Sequence, residues 1–332
     1  MSDAMTAVAL DPGVDLLLHS GEPLIRYRAL VDLAGAPADD PRVVAARAAI
    51  PDGPIARALL ADQPGRHPYS KWRGAHWRLV SLMDLGVPAD VPGLREAIEP
   101  VLRWLTGRGT RPRPLNGPIL AGLHRRCASQ EGNALAVAVH LGLADDPRAH
   151  VLVEGLLGWQ WPDGGWNCDR HADAHHSSVN ETFPALRGLA AFVRRTGDRR
   201  LALAARGGTA RTAEFLLRHR VAYSHRTGMP MHSKVVRFHY PPYWHYDVLV
   251  GLRALAESGH IGDPRTADAL DVLESRRRPD GAWSADAAHY RRPGTADSLV
   301  EVVDWVPGDQ SGPSEALTLS ALLVLTAAGR LG

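Results

Sequence analysis

Lysine is almost absent from this chain: of 38 basic residues only Lys71 and Lys234 carry an ammonium, and the rest are arginine. Cysteine is equally scarce. Cys127 and Cys168 are too few for a disulfide framework, so no set of covalent staples organises the fold. No apolar run reaches 18 residues and no cleavable leader pattern opens the sequence, which argues against membrane insertion and export and makes a cytoplasmic protein the expectation. A net charge of +2 with dispersed arginines removes the electrostatic argument for nucleic acid. Strand-like alternation is missing, and no Ser- or Gly-rich linker divides the 332 residues. Aromatic residues make up only 6% of the chain, so the places where they cluster carry weight.

What is present is a repeat. Asp40-Pro-Arg, Asp90-Val-Pro, Asp146-Pro-Arg, Asp198-Arg-Arg and Asp263-Pro-Arg lie 50, 56, 52 and 65 residues apart, a period that belongs to a repeated supersecondary unit. Asp accepts the free N–H groups of a helix start, and Pro fits the first turn because its missing donor would have had no partner. Upstream of each signal another helix stops at a glycine or a polar turn, as in Leu33-Ala-Gly35, Asp84-Leu-Gly86 and Glu257-Ser-Gly259. The 3.6-residue period predicts inner, nearly all-apolar helices at about 24–35, 76–86, 131–142, 181–195, 245–258 and 314–328. More charged outer helices are expected at about 41–62, 91–106, 147–158, 199–219 and 264–277, with 13–19 completing the set. The prediction is an all-α chain of helical hairpins forming one domain over 1–332.

A second punctuation mark is Gln160-Trp-Pro-Asp163-Gly164-Gly165-Trp166, with a weaker copy at Arg278-Pro-Asp280-Gly281-Ala-Trp283. Gln160 is suited to capping open backbone groups, Asp163-Gly-Gly to a turn with positive φ, and Trp166 to packing that turn down. The stretch 155–166 resembles the glutamine–tryptophan repeat of the squalene–hopene cyclase and protein prenyltransferase superfamily. The resemblance covers most of the chain as a repeat pattern and 155–189 closely. It implies an (α/α)6 toroid enclosing a cavity and an apolar, isoprenoid-type small molecule. In the prenyltransferase branch it also implies zinc held by Asp, Cys and His. Two departures stand out: the Asp-x-Asp-Asp string of alkene-protonating cyclases is absent, and Glu181 occupies the place that resembles the zinc histidine.

Chemistry-bearing residues gather where inner helices begin: His76, Glu131, Glu181, and His245 with Tyr246 and Asp247. In an apolar chamber a carboxyl titrates high enough to act as a general acid, which makes Asp247, Glu181 and Glu131, with His245, the candidate catalytic groups. The competing account is that the helix dipole favours acids in first turns. The loop carrying Tyr240, Tyr243, Trp244 and Tyr246 is a candidate substrate wall able to stabilise cationic character through its π faces. Lys71 with Arg73, and Lys234 with Arg237, precede inner helices and suit a carboxylate, phosphate or diphosphate on the substrate; solvated loop charges are the alternative. Cys168 and His176, completed by His239, are candidate ligands of a zinc ion, against a hydrogen-bonded polar loop with a buried thiol. The expectation is a terpenoid cyclase-like enzyme of the lyase or isomerase class using acid catalysis, with metal assistance left open. A zinc-dependent transferase of prenyltransferase type and a non-catalytic ligand-binding toroid are the alternatives.

Overall fold

A computed structural model describes residues 10–61, 65–107, 118–294, 299–305 and 312–331. In the N-terminal part the helices are α1 (Pro12–Leu18), α2 (Pro23–Arg28), α3 (Pro41–Ala49), α4 (Pro54–Leu60), α5 (Ala75–Asp84) and α6 (Leu94–Thr106). Then follow α7 (Ala128–His140), α8 (Pro147–Trp159), α9 (Val179–Arg195) and α10 (Arg199–Arg218). The C-terminal part holds α11 (Val248–Glu257), α12 (Ala267–Ser275) and α13 (Glu315–Ala327). Strand among the described residues is limited to a hairpin of Ile119–Leu120 with Leu123–His124, which the search for alternation missed because two-residue strands carry no period. No helix of the described residues is long and apolar enough to cross a membrane.

The aspartates do what their spacing predicts. Asp40, Asp146 and Asp263 accept from the backbone N–H two residues on, at 2.8, 2.8 and 2.9 Å, and Asp198 from Leu201 at 2.9 Å. Asp90 is the exception: α6 starts only after Gly93, whose φ of 88° turns the chain into the helix, and Asp90 pairs with Arg47 instead. The expected 41–62 helix is broken by Pro51 and Pro54 into α3, a 3-10 turn and α4, and its residue 62 lies outside the described residues. The 24–35 segment ends in a π-helical turn, Ala29–Leu33.

The inner helices pack in sequence order. α7 lies between α5 and α9, α9 against α11, and α11 against α13, while α13 also meets α1 and α2. Ser20 donates to Glu315 at 2.7 Å across that last junction. On the outside α6, α8, α10 and α12 cover α5, α7, α9 and α11 in turn. α7 and α9 approach through reciprocal glycines: a Cβ on Gly132 would stand 2.5 Å from Ala185 N, and one on Gly188 2.5 Å from Gly132 O.

The two punctuation marks are geometrically equivalent. Trp166 and Trp283 are fully buried, and their indole N–H groups donate to Leu156 O (2.9 Å) and Leu273 O (2.8 Å), the carbonyls ten residues back. Their backbone N–H groups reach Thr182 (3.3 Å) and Thr318 (3.0 Å) on the next inner helix. Gln160 donates to Gly164 O, Gly208 O and Thr212 Oγ1, tying the turn to α10. At the other ends of the inner helices a partly exposed charge cluster joins α5, α9 and α11. Arg187 pairs with Asp84 (2.7 Å) and Glu257 (2.5 Å), and Arg253 with the same two acids (3.0 and 2.8 Å).

Candidate functional site

Two long loops meet in front of α11. The segment before α11 and the one before α13 are laced together by Phe238 N to Asp286 Oδ2 (2.8 Å), Asp286 N to Phe238 O (2.7 Å) and a bridge between His239 and Ala287. This pairing sets His289 beside His239. The first loop then doubles back through Pro241 and Pro242 and through Tyr243, held at φ 50°, which returns His245 to the same place. The rings of His245 and His289 stack at 3.6 Å and 11°, and His239 stands edge-on to His289 at 4.7 Å. One ring nitrogen from each lies within 4.8 Å of the others.

Asp247 lies beneath this group, fully buried as the N-cap of α11 rather than inside its first turn. Its Oδ1 accepts from Val250 N at 2.9 Å, and its Oδ2 accepts from His239 N at 3.1 Å and faces His239 Nδ1 at 2.8 Å. Burial works to lower the pKa of His239, but the Asp247 carboxylate more than offsets it and leaves it above the ordinary value. His245 is pushed down to about 3 by burial and then by His289 and His239; His289 falls to about 4 by burial, His239 and Lys234. Nδ1 of His245 is buried without a hydrogen-bond partner.

The triad opens on a cavity of about 540 Å³, whose wall includes Val179, Asn180, Met231, Lys234, Arg237 and Tyr246. Lys71 reaches the other side: its Nζ sits 4.2 Å from the Trp244 ring centroid, and Trp244 stacks on His245 at 5.2 Å. Both lysines of the chain therefore flank the three histidines.

A second cluster lies on the far side of Asn180, whose Oδ1 accepts from Tyr246 N at 2.9 Å. Here Cys168 Sγ donates to Glu181 Oε1 at 3.2 Å, Glu181 Oε2 accepts from Ser129 N at 2.9 Å, and Cys127 completes a three-donor group. Burial raises the pKa of Glu181, and the hydrogen bond with Cys127, then burial and Glu181, raise that of Cys168. Glu131 pairs with buried Arg126 at 3.4 Å.

The predicted residues thus divide. His239, His245, Lys234, Arg237 and Tyr246 meet at the cavity, with Asp247 buried behind His239 and Lys71 and Trp244 at the side. Glu131 and Glu181 belong to the neighbouring cluster, so residues near 131, 181 and 245 form two adjacent groups rather than one. The metal set of Cys168, His176 and His239 is not a single site. Cys168 and His239 sit in different clusters, and His176 is exposed against His175, its loop pinned outside by Asn167 Nδ2 on His176 O (2.8 Å). Tyr240 is buried toward the Asp84–Arg253 charges, and Tyr243 stacks on Trp72 at 3.7 Å and donates to Glu301. His76 is packed among Tyr69 and Trp77, and Arg73 is half-buried; neither lines the cavity. Sequence reasoning missed His289 and Cys127. His289 lies in the loop after Trp283, but overlaying the two punctuation copies sets it against Ala172 and sets Cys168 against Ala285, so the repeat carried no signal for it. No known protein-family model and no curated protein matches the chain.

Proposed function

We propose that the chain is an enzyme built as an (α/α)6 toroid that binds a small molecule with an apolar body and an anionic group beside His239, His245 and His289. The observation that carries this reading is Lys234 on the wall of the three-histidine cavity, with Lys71, the chain's other lysine, over Trp244 behind His245. Contact of α13 with α1 and α2 supports closure of the hairpins into a ring. In this reading Lys234 and Arg237 hold the anionic group as point charge and fork. Val179, Met231 and Tyr246 take the apolar body, and His245 and His289 present imidazole lone pairs to the reacting centre. Asp247, with both oxygens engaged by three N–H groups, orients His239 instead of delivering a proton. The lyase or isomerase class and the isoprenoid character of the substrate both rest on the repeat's resemblance to cyclases and prenyltransferases alone.

A second reading has a specific observation behind it. Cys127, Cys168 and Glu181 bring two thiols and a carboxylate together, a donor set that suits zinc with one position left open, as a transferase of prenyltransferase type requires.

Binding of an isoprenoid diphosphate and of the matching alcohol, followed by calorimetry, tests the main reading. The diphosphate is expected to bind at least about tenfold more tightly than the alcohol, and Lys234→Ala and Lys71→Ala to remove most of that difference. Equal binding of the two ligands, or lysine variants that behave as the wild type, would overturn it.

A further inference from the structure

We propose that His239, His245 and His289 hold a divalent metal ion of the zinc class, with Asp247 orienting the first ligand and the cavity supplying the open coordination position. The inference rests on the same cavity being the active centre, but its test needs no substrate.

Three imidazoles form a donor set for zinc and its first-row neighbours, and three protein ligands with one position free is the arrangement of catalytic rather than structural zinc. Hard ions such as calcium or magnesium need oxygen ligands, and the carboxylate against the triad, Asp247, is already engaged by Val250 N, His239 N and His239 Nδ1. That engagement has a direction. Nδ1 faces the buried carboxylate, so Nε2 of His239 is the atom that would ligate. It now lies 3.3 Å from the His245 carbonyl oxygen, and binding an ion means giving up that hydrogen bond and its proton, after which Asp247 fixes tautomer and ring orientation as in a carboxylate–histidine–metal relay.

The three donor nitrogens lie within 4.8 Å of one another, whereas bonds of about 2.0–2.1 Å in a tetrahedral shell place nitrogens roughly 3.4 Å apart. His239 is held fast by Asp247. His245 and His289 are half-buried and stacked, a geometry that sends their lone pairs side by side. Ligation requires the His289 ring to turn out of the stack by side-chain rotation, since its backbone is held by the bridges at Ala287 and Arg291. The buried, partnerless Nδ1 of His245 marks the same spot as short of a polar partner.

Neutral imidazoles cancel none of the ion's charge, and Lys234 and Arg237 add to it on the cavity wall. A bound anion relieves that excess. Metal and anionic ligand should therefore strengthen each other's binding, by the same factor in both directions.

The test uses the full chain without a polyhistidine tag, stripped with a chelator and titrated with zinc and then cobalt(II), in wild type and in a Cys127→Ser/Cys168→Ser variant. One equivalent is expected in both, the cobalt form of the cysteine variant showing ligand-field bands. His289→Ala and His245→Ala should each weaken binding at least about 100-fold, and Asp247→Asn about 10–100-fold, with folding checked by circular dichroism. No metal taken up by the folded cysteine variant, or unchanged affinity in both histidine variants, would overturn the proposal. A stripped protein that still selects the diphosphate through its lysines yet takes no metal would remove this inference and leave the proposed function standing.

Discussion

Asp247 serves three donors with two oxygens, and its position shows how one carboxylate links a helix start to a functional group. Its Oδ1 closes the first turn of α11, while Oδ2 fixes the backbone and ring of His239. Removing it leaves those groups buried and without their acceptor. Asp247→Ala is expected to lower the unfolding free energy by about 3–5 kcal/mol, and Asp247→Asn by less because its carbonyl still caps Val250; denaturant titration of both variants reads the difference. The capping role of the acid was open to prediction, since Asp before an apolar helical run has a physical meaning. Its partner was not, because nothing local in Phe238-His239 says which carboxylate a loop histidine will meet.

Among elements, the tightest junction is α7 against α9, where the backbones meet at Gly132 and Gly188. A methyl group at Gly132 collides with main-chain atoms of Pro184 and Ala185, which cannot swing aside as a side chain does. Gly132→Ala is expected to destabilise by about 3 kcal/mol or more, whereas Gly158→Ala, where a Cβ meets nothing within 4 Å, should stabilise slightly as a replacement of glycine within a helix. Thermal unfolding of the two variants gives opposite signs if this account holds. Helices such as α8 and α10 were legible almost to the residue because a cap at one end and an apolar period throughout specify them. The expectations near 41–62 and 245–258 were less exact for identifiable reasons. Two prolines divide the first, and in the second Tyr243 and the pair Pro241-Pro242 keep His245, Tyr246 and Asp247 out of the helix. The cavity was only half legible: its residues from the α11 loop were visible, but His289 arrives by a pairing of two loops, which no periodicity encodes.

At the scale of the whole molecule, three inner helices are joined by the cluster of Asp84, Arg187, Arg253 and Glu257. Burial works to raise the pKa of Glu257, but Arg187 and Arg253 outweigh it and hold the acid at about 2, below the ordinary 4.5. A lowered acid contributes stability that is complete above 4.5 and is lost as pH falls from there toward 2, because the unfolded chain takes up the proton first. Glu257→Gln should therefore be less stable than wild type at neutral pH and show a flatter decline between about pH 4.5 and 2. Parallel acid limbs in the two proteins would rule out this role. The hairpin order was readable from the Asp-Pro repeat, while the cross-core ion pairs were not, since Asp84 and Arg187 lie on helices separated by α7.

The scarcity of ammonium groups also gives the protein a built-in reporter. Reductive methylation with isotopically labelled formaldehyde would mark Lys71, Lys234 and the α-amino group and nothing else, so a carbon NMR spectrum of a few lines would watch the approach to the histidines from two sides. Each candidate ligand could then be judged by which of the two side-chain signals moves, before any turnover assay exists.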